Sequence, residues 1–183
     1  MPGSSFSLPA RRTCPGAILT ENSVCLTCYA DGRHRYRWRA VRDAQARRFA
    51  WTLGALTSGR FVPVLADRIA SRHEPYFRLH DAGDFFSPGY VEAWGEIALE
   101  LPRVRFWAPT RSWAIDARTR KDTDPLLVSL RRLASRPNVT VRPSALFIGD
   151  DPPVISGLAA GSTVTADRSR ATCPKFLRRP PAC

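Results

Sequence analysis

Residues 76–110, YFRLHDAGDFFSPGYVEAWGEIALELPRVRFWAPT, contain one full turn of an alternating pattern. Tyr76 to Leu79 reads as a short buried strand that runs into a polar loop, HDAGD. Ser87 and Pro88 then form a helix start, with the serine oxygen free to accept from the first turn and the proline ring preset for it. Val91, Trp94, Ile97 and Leu101 recur at helical spacing until Pro102 stops the helix. Val104 to Ala108 is the next strand, and it too ends in a polar loop, PTRSW.

The same unit repeats downstream. Asp124-Pro125 starts a helix carrying Leu126, Leu127, Leu130 and Leu133, Val139 to Val141 follows as a strand, and Ser162 to Thr165 reads as a fourth. Upstream, Ala46, Phe49, Ala50, Leu53 and Leu56 place one face of a helix from Ala40 to Leu56, stopped by Ser58-Gly59. A second helix runs from Val62 to Ser71, with Val62, Leu65, Ala66 and Ile69 inward. Strand and helix in alternation predict an α/β fold: a mainly parallel sheet with flanking helices, as a small open sheet or a partial barrel. At 183 residues the chain is expected to be a single domain.

In such folds chemistry collects on the loops beyond the carboxyl ends of the strands. Two loops there are polar in an apolar context, with His80, Asp81 and Asp84 in one and Thr110, Arg111 and Ser112 in the other. His80 is read as a proton shuttle near neutral pH, Asp81 or Asp84 as its orienting partner or as a base, and Arg111 as a grip for a carboxylate or phosphate. A small-molecule substrate is the expected ligand of this group.

A second feature lies near the start, in TCPGAILTENSVCLTCYA, residues 13–30. Cys14, Cys25 and Cys28 stand there in C-x10-C-x2-C spacing, in a chain with 5 cysteines. The C-x2-C step offers two thiolates from one turn, and Pro15-Gly16 lets Cys14 fold back to join them. Thiolates gathered in this way suit zinc or an iron–sulfur cluster. A zinc site of ordinary spacing pairs C-x2-C with a second close pair, which the sequence lacks, so iron–sulfur is preferred and a zinc-stabilised domain is the alternative. Cys173, in a Cys-Pro step like that of Cys14, is the expected fourth ligand ahead of the terminal Cys183. Residues 1–30 then serve as the cluster-binding loop, with residues 166–183 a tail folding back to it.

Charge adds a further candidate partner. The net charge is +12, and Lys121 and Lys175 are the only lysines, so arginine carries nearly all of the positive charge. Guanidinium groups bind phosphate in a bidentate manner, which makes nucleic acid a candidate, and Trp38 and Trp51 interleave with an arginine run between Asp31 and Arg72. No run of eighteen apolar residues is present, so no membrane span is expected. The first residues, MPGSSFSLPARR, lack the apolar core of a signal peptide, and a cytoplasmic location is expected.

Four words of the sequence, GSSFSLPARRTCPGA, CLTCYA, FRLHDAGDFFSPGYVEAW and FWAPTRSW, occur in that order and resemble the phage-borne gene product 88 family. The resemblance implies a cysteine-rich loop feeding an α/β layer, distantly similar to the radical S-adenosylmethionine enzymes. With the cysteine spacing, the expected cofactor is a [4Fe-4S] cluster, with [3Fe-4S] as the lesser form, on Cys14, Cys25, Cys28 and Cys173, with Cys183 the other candidate for the fourth ligand. The chain departs from the C-x3-C-x2-C spacing of radical enzymes and shows no glycine-rich S-adenosylmethionine motif. The expected activity is therefore Lewis-acid hydrolysis of a small ester or amide at an open iron, ahead of radical chemistry. The alternative is a phage nucleic-acid-binding or redox-sensing protein with a structural cluster.

Overall fold

The computed structural model describes residues 3–114, 123–167 and 169. Strand β1 (Ser4–Phe6) leads through the cysteine segment into helices α1 (Arg39–Thr57) and α2 (Phe61–Ala70). Then come β2 (Tyr76–Leu79), α3 (Pro88–Glu100), β3 (Arg105–Thr110), α4 (Pro125–Ala134) and β4 (Val139–Pro143). All pairings are parallel, and the strands lie side by side in chain order β1-β2-β3-β4. The α/β expectation holds, as an open four-stranded sheet with helices.

Sequential order has a consequence for the layers. A right-handed crossover between each pair of neighbours sends every helix to the same face of the sheet. The burial pattern agrees. Phe77 and Leu79 on β2, Phe106 and Ala108 on β3, and Val139 and Val141 on β4 are buried in one core with residues of all four helices. Trp94 of α3 is its hub, meeting the rings of Phe6 and Phe61 edge-on at 5.6 Å. The alternate residues Arg78, Arg105, Trp107 and Arg142 point to the opposite face and stay out of that core.

Both proline-led helix starts form as read. Ser87 Oγ accepts from Tyr90 N at 3.3 Å, and Asp124 Oδ1 accepts from Leu126 N and Leu127 N at 2.8 and 3.0 Å. Two expectations need correction. The buried face of α1 is Gln45, Phe49, Thr52 and Ala55, while Ala46, Ala50 and Leu53 are exposed. Two polar residues turned inward defeated the apolar count: Gln45 Nε2 donates to Leu8 O at 3.2 Å, and Thr52 Oγ1 to Arg48 O at 2.8 Å. Ser162 to Thr165 forms only an isolated bridge, Ser144 to Ser162, because Gly149 N binds Val164 O and draws the segment into a loop. The sheet's remaining strand is instead Ser4–Phe6, too short and too polar to announce itself.

Asn138 ties the turn before β4 to the end of α3. Its Nδ2 shares two hydrogens among Ala98 O, Leu101 O and Val104 O at 2.9, 3.0 and 3.1 Å, and Leu101 O also accepts from Val104 N. Asn138→Ala removes this shared donor and is expected to cost about 2 kcal/mol in urea unfolding. A loss within the noise of the measurement would show that water replaces the amide without penalty.

Candidate functional site

The cysteine segment lies across the carboxyl ends of the strands because backbone bonds tie it there. Leu8 N donates to Ala82 O at 2.8 Å, beside the end of β2. Val24 N donates to Leu146 O, and Ile148 N to Asn22 O, both at 2.9 Å, beyond the end of β4. Two glycines permit the contact. A Cβ on Gly16 would stand 1.9 Å from Arg111 O, and one on Gly83 would stand 2.7 Å from the Leu8 Cβ. Gly83 also has φ +82°, a left-handed conformation that glycine adopts without strain.

Under this segment is a cavity of about 260 Å³ whose walls include Cys14, Cys25, Cys28, Tyr29, Arg78 and Arg111. All three cysteines are free thiols and half-buried. Burial pushes the Cys14 thiol up to about 12, and the negative charge of Asp84 adds to the effect. Burial also raises Cys25, against the opposing pull of the Arg111 guanidinium. Cys14 and Cys25 each feel the charge of Cys28, so the three thiols are electrostatic neighbours. Among the described residues no group of three His, Cys, Asp or Glu side chains is gathered as for a metal ion. Cys173, the expected fourth ligand, lies outside the described residues, as does Cys183.

His80, Asp81, Asp84 and Arg111 line the same cavity, each in an environment of its own. His80 is enclosed. It is 2% exposed, burial and then the charge of Arg78 push its imidazole down to about 3, and Nε2 lies 2.9 Å from the Tyr90 hydroxyl. Asp81 is not a free base. Its carboxylate is paired with Arg35 and with Arg78 at 3.4 Å, and accepts from the Tyr36 hydroxyl at 2.6 Å.

Asp84 is a tether. Oδ1 accepts from Phe85 N at 2.8 Å and from Thr110 Oγ1 at 2.7 Å, while Oδ2 accepts from Arg111 N at 2.8 Å. Thr110 Oγ1 accepts in turn from Ser112 N at 3.0 Å, and Ser112 Oγ donates to Phe85 O at 2.8 Å. The loops after β2 and β3 are thereby locked together. Burial raises the Asp84 carboxyl, and the donors from Thr110, Arg111, Phe85 and Ser112 hold it back.

Arg111 is held at one nitrogen. Its Nε donates to Ala145 O at 2.8 Å, and among the described residues its two terminal nitrogens have no hydrogen-bond partner. Tyr29 and Arg78 also line the cavity and were missed by the sequence reading. Tyr29 donates to Asp81 O, and Arg78 Nε donates to His80 O at 3.2 Å. A tyrosine directly after the C-x2-C step was the available signal for the first; nothing in the local sequence marked the second.

A match to the gene product 88 family runs over residues 1–174. The Gene 88 protein of Mycobacterium phage L5 is 34% identical over 120 residues, which is 59% of this chain and 47% of that protein. The Gene 88 protein of Mycobacterium phage D29 is 31% identical over 120 residues, with the same shares. The chain thus spans about half the length of these curated relatives. No solved structure matches it. Among the described residues no helix is long and apolar enough to cross a membrane.

Proposed function

This chain belongs to the gene product 88 family, and we propose that Cys14, Cys25 and Cys28 hold an iron–sulfur cluster over the carboxyl ends of its strands. The observation that supports this reading is that three free thiols line one cavity wall, with the buried Asp84 carboxylate close enough to raise Cys14, although among the described residues they do not stand gathered as for a metal ion. Thiolates at those positions repel one another and Asp84, and a polycationic iron core offsets that repulsion. The donor chemistry fits the group, since soft thiolates favour iron–sulfur or zinc over hard cations.

When bound, an iron with an open position supplies Lewis acidity toward a carbonyl oxygen, which suits hydrolysis of a small ester or amide. The chain's own residues supply the rest. Arg111 grips an anionic substrate group with its terminal nitrogens. Asp84 fixes the Arg111 backbone, so that the guanidinium enters the cavity from a rigid loop. The cysteine segment, held through the backbone bonds of Leu8, Val24 and Ile148, forms one wall of the cavity.

Protein purified without oxygen is expected to be brown, with iron and acid-labile sulfide in equal amounts. Cys25→Ser and Cys28→Ser are expected to lose both. Arg111→Ala is expected to keep the iron and lose turnover across a panel of small esters and amides. Stoichiometric zinc without sulfide, or full iron in both cysteine variants, overturns the assignment.

A further inference from the structure

The face of the sheet turned away from the helices is built to a pattern. Strand register sets Arg78 of β2 beside Trp107 of β3, Tyr76 beside Arg105, and Pro109 beside Arg142 of β4. These side chains alternate with the core residues, so arginines and aromatic rings interleave on one surface. The Arg78 guanidinium lies over the Trp107 ring at 5.0 Å, and Tyr76 is 48% exposed. A cleft of about 220 Å³ runs here, between Tyr76, Arg78, Arg105 and Trp107 on one side and Arg35 and Ser5 on the other.

The acids at this face are already engaged. Asp81 is paired with Arg35 and Arg78, and Glu74 accepts from Ser4 N and, at 3.0 Å, from Ser4 Oγ. Arg105 is exposed and makes no ion pair among the described residues, and the Arg142 Nε is enclosed without a hydrogen-bond partner. The face is therefore net positive.

We propose that this face, uncovered among the described residues, binds single-stranded nucleic acid, with Tyr76 stacking a base, the Arg78–Trp107 pair flanking it and Arg105 meeting a phosphate. The choice of single strands follows from the rings. A planar side chain flush with a sheet reaches only bases that are already unstacked, whereas a duplex presents its bases edge-on inside grooves. Sequence-independent binding is expected, since every base has a face to stack and the arginines read only the backbone. The proposal does not rest on the thiol cavity, although Arg78 and Asp81 border both.

The test is fluorescence anisotropy with a labelled oligothymidylate of about 12 nucleotides, within the span such surfaces cover, titrated with the full chain over a range of salt. Affinity is expected to fall steeply with salt. Tyr76→Ala is expected to weaken binding about tenfold and Tyr76→Phe to preserve it. Arg105→Ala is expected to reduce the salt slope by about 0.7, the share of one phosphate on a single strand. Both positions are exposed, and circular dichroism checks that each variant keeps its fold. No binding by the parent chain overturns the proposal. So does equal affinity for a duplex of the same length, or loss on Arg42→Ala and Arg47→Ala on the outer face of α1 with none on Tyr76→Ala and Arg105→Ala.

Discussion

Asp84→Ala is expected to lose about 4 kcal/mol of folding stability, because two backbone N–H groups and the Thr110 hydroxyl lose a buried acceptor together. Thr110 can turn its hydroxyl elsewhere, but Phe85 N and Arg111 N are fixed by the loops they belong to. The carboxylate's own burial is unfavourable, as its raised pKa shows, so its removal recovers part of the loss. Asp84→Asn separates the two effects. It removes the charge and keeps one acceptor, and is expected to cost about 2 kcal/mol. Urea unfolding at pH 7 measures both, with an unchanged denaturant slope as the sign that the native state is otherwise intact. A loss below about 1 kcal/mol for Asp84→Ala would show that the loops after β2 and β3 are held by something other than this carboxylate. In the alanine variant Arg111 is also expected to lose its fixed approach to the cavity.

The second large effect is a pH dependence set by His80. An exposed histidine takes up its proton near 6.5, whereas the buried imidazole resists it down to about 3. Between those values the unfolded chain binds the proton and the folded chain does not, so stability is full above pH 6.5 and falls as pH drops toward 3. The whole interval is worth about 5 kcal/mol, and about 3 kcal/mol is expected to be gone by pH 4. Asp84 acts in the opposite sense. Its carboxyl is raised in the folded state, so its contribution favours folding at low pH and is lost as pH rises through that raised value. The difference between the parent and His80→Asn cancels the Asp84 contribution. Asparagine tolerates the left-handed backbone at this position, φ 64°, and does not titrate. Equal pH profiles for the two proteins would mean that the imidazole is reached by solvent and proton in the native state.

Both effects come from residues first read as acid–base catalysts. Their residue types were legible in the sequence and their surroundings were not. A histidine in a polar loop at a strand end looks the same in sequence whether solvent reaches it or whether Phe85 and Tyr90 enclose it at 4.6 and 5.7 Å. Asp81 and Asp84, three residues apart, differ in what folds onto them. Arg35 and Tyr36, from the turn before α1, close on Asp81, while the backbone of the next strand's loop closes on Asp84.

Local sequence by itself determined the elements and their order. Apolar spacing and the paired starts Ser87-Pro88 and Asp124-Pro125 fix α3 and α4, and alternation with short β-prone runs fixes a parallel sheet, because helix starts and strand burial are governed by neighbours a few residues away. Local sequence also brought three cysteines close in the chain. Tertiary structure alone decided the rest. It made Ser4–Phe6 a strand, since three residues acquire that identity only by pairing with Phe77, Arg78 and Leu79. It turned Gln45 and Thr52 inward, where Leu8 O and Arg48 O receive them. It set thiols, Arg111 and a tethered Asp84 around one cavity, and put Tyr76, Arg78, Arg105 and Trp107 on one face. Contacts between residues tens of positions apart depend on which strand lies beside which, and that order belongs to the assembled sheet rather than to any stretch of the chain.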